Sequence, residues 1–280
     1  MIYEIDFRAE THEFPKKIIW ATDLHLDAAD KAQHRLFCEL AISYEPDIVL
    51  IGGDISNGET SLIHLRQLAK LIKKPLYFVL GNHDFYHGSI YNIRKIAHEI
   101  TEEFPNVKYL TDGGVVPLSE QTALIGHDGW YDGRSGDFMH SDIMLNDYFL
   151  IDELKKLSQD ARLHKLNQLG SEAADYLKKT LIEAFEKYDR VIILTHVPPF
   201  AEACFYDGRI CDANWAPHFV GQATGEALED VMGRYLSKQL LVLCGHTHSG
   251  NDVEILPNLR VVSGQTELGV PNVQGLILIN

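Results

Sequence analysis

The chain is poor in basic residues and gathers them nowhere: 25 Lys and Arg stand against 40 Asp and Glu, a formal net charge of -15 over 280 residues. Without a local Lys/Arg cluster, a nucleic-acid groove or an anionic membrane surface is disfavoured, because phosphate polyanions are repelled at long range. No apolar run approaches membrane-spanning length, and the opening MIYEIDFRAE carries acids where a secretory leader carries bases. A soluble cytoplasmic protein is the expectation. Cysteine is scarce too. Cys38, Cys204, Cys211 and Cys244 form no CxxC pair, which points to reduced thiols packed as small apolar groups; Cys204 and Cys211 could pair, but nothing in the sequence requires it. Repeats, low-complexity tracts and flexible linkers are also missing, so nothing divides the chain. What remains is a 45% apolar sequence, enough for a large core in one domain spanning residues 1–280.

From Lys17 to about Phe104, strand-like and helix-like patterns alternate: IIWATD, a helix, DIVLIGGD, a helix, PLYFVLGNHD and another helix. That order predicts βαβ units and a largely parallel sheet. The helices rest on the spacing of Leu36, Phe37, Leu40 and Ala41 after Asp30 as a cap, of Leu62, Leu65, Leu68, Ala69 and Ile72 after Thr60, and of Ile93, Ile96, Ala97, Ile100 and Phe104 after Ser89. Strand patterns at Val107–Leu110, Val115–Leu118 and Thr122–Ile125, the first two split by Asp112-Gly113-Gly114, predict an antiparallel meander. An insert flanking the site, at about 127–188, begins Gly- and Asp-rich and ends in a core-facing helical stripe of Ala173, Ala174, Leu177, Leu181, Phe185 and Tyr188. A second α/β half follows, with strand RVIILTH, a long loop, a helix near Glu226–Ser237, strand LLVLCGH, and terminal strands around Arg260–Ser263 and Gly275–Ile279.

Seven potential metal ligands fall in five short segments, each just after an apolar strand-like run: Asp23 and His25, Asp54, Asn82, His196, then His246 and His248. The C-terminal ends of strands in open α/β sheets are where ligand-binding crevices form. Gly52, Gly53, Gly81 and Gly245 directly precede ligands, and a residue without a Cβ lets the chain turn sharply and the backbone come close to an ion. Singly, an aspartate after a strand reads as a cap or turn residue and a histidine as surface or satisfied core. The ordered set points instead to a two-metal hydrolase.

The segments DLH at Asp23–His25, GGDISN at Gly52–Asn57, GNHD at Gly81–Asp84, TH at Thr195–His196 and GHTH at Gly245–His248 resemble those of calcineurin-like metallophosphoesterases, in the family's order and over about residues 17–265. The resemblance implies an α/β fold of two packed mixed β-sheets flanked by helices, an α/β/β/α sandwich. It implies one metal held by Asp23, His25, Asp54 and His248 and another by Asp54, Asn82, His196 and His246, with Asp54 bridging. The ions would be divalent or trivalent transition metals, since mixed N and O donors without thiolate suit Mn, Fe or Zn better than Ca or Mg. Two divalent cations less two aspartates and a bridging hydroxide leave the site at roughly plus one, so an acidic protein can bind an anionic phosphoester. The hydroxide would attack phosphorus, and His83 matches the family's catalytic histidine, which protonates the leaving oxygen. Asp84 reads as structural, bonding local backbone amides. Where the Ser/Thr protein phosphatases of this superfamily carry Asp-Arg-Gly after their GD motif, the Asp and Arg positions here are Asn57 and Gly58, and their GNHE is GNHD. That subtype is excluded, although Asn57 can still accept a hydrogen bond from His83.

The expected reaction is hydrolysis of a small phosphomonoester or phosphodiester. A nuclease of the same superfamily is the rival enzyme, disfavoured by the acidic charge; a non-catalytic metal-binding scaffold is the rival from another class, disfavoured by the intact ligand set. Substrate contacts are sought in two loops. GHDGWYDGRSGDF holds His127, Trp130, Tyr131 and Arg134, the last able to grip phosphate in bidentate fashion, and Phe200–Phe219 adds Phe205, Tyr206, Arg209, Trp215 and His218, as a lid over a ring would. His12, His34, His64, His87, His98, His140 and His164 have no comparable context. Native metals, monoester or diester preference and oligomeric state are left open at this level.

Overall fold

The computed structural model describes residues 2–9, 16–206 and 208–280; His12 lies outside them. The first half runs β1 (Tyr3–Asp6), β2 (Lys16–Ala21), α1 (Lys31–Ser43), β3 (Ile48–Gly52), α2 (Glu59–Ile72), β4 (Leu76–Val79), α3 (Ile90–Glu103) and β5 (Val107–Tyr109). After it come β6 (Val116–Pro117), β7 (Thr122–Gly126), the short α4 (Asp147–Leu150), the long α5 (Gln159–Phe185), β8 (Arg190–Leu194), β9 (Phe205–Tyr206) and β10 (Arg209–Ile210). The chain closes with α6 (Gln222–Met232), β11 (Gln239–Cys244), β12 (Asn251–Leu256), β13 (Leu259–Ser263) and β14 (Gly275–Ile279).

Two six-stranded sheets result, in the orders β1-β14-β2-β3-β4-β5 and β12-β13-β11-β8-β7-β6, with β9 and β10 forming a separate two-stranded ribbon. In the first sheet β2 through β5 are parallel and β14 runs against β2. In the second, β7, β8, β11 and β13 are parallel, with β6 and β12 antiparallel at the two edges. Both sheets are therefore mixed.

Strand alternation explains the layering. In β2, Ile18 and Trp20 join Leu50, Val79, Leu124, Ile192, Leu194, Leu241 and Leu243 between the sheets. Ile19 and Ala21, one step along, face Phe37, Leu62, Leu65 and Ile93 of α1, α2 and α3. In β8 the same shift puts Val191 and Ile193 against Leu177, Leu181, Leu228 and Val231 of α5 and α6. A period of two with both faces covered makes these strands apolar throughout, and each fully buried Leu or Ile contributes about 1.5–3 kcal/mol. The outcome is the expected helix, sheet, sheet, helix order.

Local signals explain most boundaries. Asp30 caps α1 by accepting from the amides of Ala32 and Gln33, while the Gln33 side chain returns to the Asp30 amide, a reciprocal box. Ser89 caps α3. Three expectations are corrected. The meander forms only in its second half: β6 and β7 are antiparallel in the second sheet, whereas β5 pairs in parallel with β4 in the first. Asp112-Gly113-Gly114, with Asp112 and Gly114 at positive φ, is where the chain crosses between sheets, and turn chemistry does not reveal which sheet receives the next strand. The helix expected near Glu226–Ser237 is α6, starting at Gln222 and ending at Met232 ahead of Gly233. Finally, Cys204 and Cys211 are joined as a disulfide; only Cys38 and Cys244 are free, both buried. Pairing of β9 with β10 brings the two Cα atoms to 5.7 Å, well within bridging range.

Candidate metal centre

The ligand residues follow β2, β3, β4, β8 and β11 at the C-terminal ends of parallel strands, where the two sheets meet. Glycine makes the approach possible. A Cβ at Gly81 would collide with the Asp54 carboxylate and the His196 ring, and one at Gly245 with the Asp23 carboxylate. The strand-end loops are laced together by backbone hydrogen bonds: the Asp23 amide donates to Gly53 O, His25 to Asp54 O and Gly245 to His196 O, at 2.8–3.0 Å.

The geometry separates two groups of donors. Asp23, His25, Asp54 and His248 bring their ligand atoms within 4.8 Å of one another. His25 Nε2 is 2.9 Å from His248 Nε2, and His248 Nε2 is 3.5 Å from Asp23 Oδ1. In the other group, Asn82 Oδ1 lies 3.1 Å from His196 Nε2 and 2.9 Å from His246 Nδ1. Asp54 stands between them, Oδ2 at 3.7 Å from His25 Nε2 and Oδ1 at 3.4 Å from His196 Nε2. Donors bound at about 2.0–2.2 Å to one ion lie roughly 3–3.5 Å apart, so both groups fit a metal.

Electrostatics point the same way. Asp23 and Asp54 are buried, and among the described residues their ion-pair partners are histidines alone, with no Lys or Arg. Two such carboxylates cost several kcal/mol each unless a cation compensates them. Burial, only partly offset by nearby carboxylates, lowers the pKa of His25 and takes that of His246 to about 3, which leaves both imidazoles neutral and ready to ligate. For His196 burial acts in the same sense, but the adjacent Asp54 outweighs it and raises the pKa to about 10. Asp54, despite its burial, is held well below the ordinary carboxylate range by His196, His83 and His25.

The far side of each donor is fixed. His196 Nδ1 is 2.9 Å from Gly52 O and His246 Nε2 is 3.1 Å from His218 O. A carbonyl only accepts, so these nitrogens carry hydrogen and the opposite ones face the site, where a bound metal would take the place of the second proton on His196. Backbone strain is concentrated here as well. Ten described non-glycine residues have positive φ, and five of them belong to the expected ligand set: Asp23, His25, Asp54, His246 and His248, at 42° to 73°. Such conformations cost about 1–3 kcal/mol each and gather at functional sites.

Some residues around the centre carry no sequence signal. The buried Asp147 of α4 accepts from Asn82 Nδ2 at 3.0 Å, Tyr86 OH at 2.7 Å and Tyr131 OH at 2.7 Å. Burial, and then the Asp147 charge, push both phenols well above their ordinary range, so both remain donors. Asp128 is a second hub. Its carboxylate accepts from the Leu80 amide, Arg94, Tyr109 and Thr111, and its carbonyl from the His196 amide, tying the ends of β4 and β8 together. Asp84 accepts the amides of Ile55, Ser56 and Gly81, the structural part expected of it.

Asp54, Asn82, His83, His246 and His248 open onto a cleft of about 290 Å³ whose outer wall includes Tyr206, Trp215 and Phe219. His83 Nδ1 is 3.2 Å from Asn57 Oδ1 and its Nε2 is 4.0 Å from Asp54 Oδ2. The other two expected substrate contacts lie outside this cleft. His127 is buried, packs on Tyr176 and accepts the Gly129 amide at Nδ1. Arg134 is engaged by Asp132 at 2.8 Å and by Ser171 and the Asn167 carbonyl, because Gly133 turns the loop back toward α5. The GHDGWYDG loop supports the site from behind, with Tyr131 stacked on His246 at 5.7 Å.

Comparisons with known proteins bear on the family and the fold. A family model described as calcineurin-like phosphoesterase matches residues 16–250. Over 80 residues the chain is 30% identical to a Bos taurus transmembrane protein with metallophosphoesterase domain; the match covers 27% of this chain and only 18% of that protein. No helix among the described residues is long and apolar enough to cross a membrane. Among solved structures, a phosphopantetheinyl hydrolase from Mycobacterium tuberculosis is similar with TM-score 0.62 at 14% identity, covering 92% of this chain and 95% of that one. A dimetal phosphatase from Danio rerio gives 0.58 at 16% identity, covering 93% and 91%. At such identities the likeness concerns the fold.

Proposed function

This chain belongs to the calcineurin-like phosphoesterase family, and from that premise we propose that it hydrolyses a small phosphomonoester or phosphodiester at a two-metal centre of Asp23, His25, Asp54, Asn82, His196, His246 and His248. The observation that carries the reading is the pair of buried carboxylates, Asp23 and Asp54, facing imidazole and amide donors, with no Lys or Arg paired to them among the described residues. When bound, Mn, Fe or Zn ions would polarise the phosphoryl group and supply an activated water. The rest falls to the chain. Asp54, placed between the donor groups, sets their separation, while Asn82, oriented by Asp147, presents its oxygen to His196 and His246. His83 reaches into the cleft with Nδ1 committed to Asn57, so the proton it delivers to the leaving oxygen is on Nε2.

A cytoplasmic location belongs to the same reading. The deciding experiment measures hydrolysis of nitrophenyl phosphate and bis(nitrophenyl) phosphate by protein loaded with Mn, Fe or Zn, with Asp54→Asn as control. Metal-dependent turnover lost in the variant supports the proposal, and the better substrate separates monoester from diester chemistry. Inertness with every metal toward both esters would favour a metal-binding scaffold.

A further inference from the structure

The ribbon of β9 and β10 pairs only with itself, two residues per strand, far too little to hold a shape unaided. Among the described residues it is held by the Cys204–Cys211 disulfide, by the Cys211 amide donating to Cys204 O at 2.9 Å, by the Arg209–Asp212 ion pair and by the packing of Tyr206 and Cys211 on Ala216, Phe219 and Val220. Tyr206 lies 4.8 Å from Trp215 and 5.4 Å from Phe219; Trp215 stacks on Phe219 at 5.5 Å and 12°, and Phe219 meets the ligand His246 edge-on at 4.9 Å. A continuous aromatic wall thus runs from the metal centre out to the ribbon. Tyr206 and Trp215 are half-buried and line the cleft together with His83.

The charge of the cleft is as informative as its rings. Among the described residues no Lys or Arg lines it, while Asp54 and Asp147 do. Within this cleft a substrate with several phosphates would find no basic side chain beyond the metals, and Arg209, which borders the adjoining hollow with Tyr206 and Trp215, is paired with Asp212. Binding outside the centre falls mainly to the rings of Tyr206, Trp215 and Phe219, beside the polar Asn146 and Thr247.

We propose that Tyr206 and Trp215, held in place by the disulfide-closed ribbon, form a stacking subsite that selects phosphoesters carrying a single phosphoryl group and a planar aromatic or heteroaromatic ring. For the phosphoryl end the proposal rests on the phosphoesterase reading. The ring end stands on its own, because base–aromatic stacking is independent of hydrolysis and favours a ringed ligand about tenfold or more.

The test uses Trp fluorescence of the full chain loaded with Mn. Trp20 and Trp130 are buried, whereas Trp215 borders the cleft, so quenching by a stacked ring reports on Trp215. Adenosine monophosphate, phenyl phosphate and glycerol phosphate are titrated in parallel, and KM is measured for each. Both ringed ligands are expected to quench and to bind about tenfold more tightly than glycerol phosphate. Tyr206→Ala should bring that ratio toward one, and Trp215→Phe, which keeps a flat face, should preserve the preference in KM. A preference shared by both ringed ligands assigns an unspecific stacking face; one confined to adenosine monophosphate assigns a nucleobase site. Turnover with equal KM for ringed and ringless esters would overturn the subsite and leave the phosphoesterase intact. Selective quenching without turnover would do the reverse.

Discussion

Asn57 Oδ1 lies 3.2 Å from His83 Nδ1, while Asn57 Nδ2 lies 2.8 Å from Asp27 Oδ2. A carboxylate accepts and cannot donate, so Asp27 sets which way the amide faces, and the amide in turn places a hydrogen on His83 Nδ1. His83→Ala should lower kcat on alkyl phosphates about 100-fold or more, with a much smaller loss on nitrophenyl phosphates, whose leaving group needs no proton. Asn57→Ala should show the same pattern at about tenfold, the worth of one hydrogen bond that orients the ring. Equal losses on both substrates, in steady-state assays of either variant, would rule out the proton-donor role.

Asp147 holds Asn82 and two buried phenols at once. Replacing it with alanine frees the Asn82 amide to rotate and leaves two hydroxyls without their acceptor. Metal affinity should fall about 10- to 100-fold, measured by calorimetric titration of apoprotein with Mn. Asp147→Asn, which keeps one acceptor oxygen, should lose less. Unchanged affinity in the alanine variant would show that Asn82 is positioned by other means.

Metal removal should destabilise the fold. With no cation present, the ion-pair partners of the buried Asp23 and Asp54 among the described residues are histidines alone, and five residues of the proposed ligand set are held in left-handed backbone. Adding Mn at 100 times its Kd should stabilise the protein by about 2.7 kcal/mol relative to chelated protein, visible as a higher Tm in thermal scans. Asp54→Asn should abolish most of that shift. A Tm indifferent to chelator and to metal would contradict the centre outright.

His127 gives a pH dependence that is separate from the metal ligands. Burial lowers its pKa from 6.5 to about 4, so the folded protein keeps it neutral while the unfolded chain takes up a proton. Its contribution is complete above about pH 6.5 and is lost as pH falls through the interval down to 4, amounting to roughly 3 kcal/mol at the acid end. Urea unfolding of wild type and His127→Gln between pH 4 and 7 isolates this slope. The variant should be the less pH-sensitive of the two, and parallel curves would refute the assignment.

The candidate ligand set is legible because its pattern is local. Asp23, Asp54, Asn82, His196 and His246 each follow an apolar strand within a few residues, and glycine beside them reports a close approach before any partner is known. Asp147 offered nothing comparable: one aspartate at the start of a four-residue helix has no signature, and its contact with Asn82 spans 65 positions. Asp128, bound to the Leu80 amide 48 positions away, was equally silent. Arg134 looked like a phosphate clamp because charge and loop position were visible, while its partners Asp132 and Ser171 were not. The strands around Asp112-Gly113-Gly114 were located nearly correctly and paired wrongly, since a turn motif carries no information about which sheet lies beyond it.

From sequence alone came the parallel strands, the covering helices and the candidate donors, all of which depend on residue type and short-range periodicity. Only the tertiary structure decided which nitrogen of His196 and His246 is free, how Asp54 stands between two donor groups, and that Tyr206, Trp215 and Phe219 wall the cleft in place of any basic residue. These features arise where the C-terminal edges of two sheets are pressed together. Their energies belong to contacts between distant segments, and no single segment encodes them.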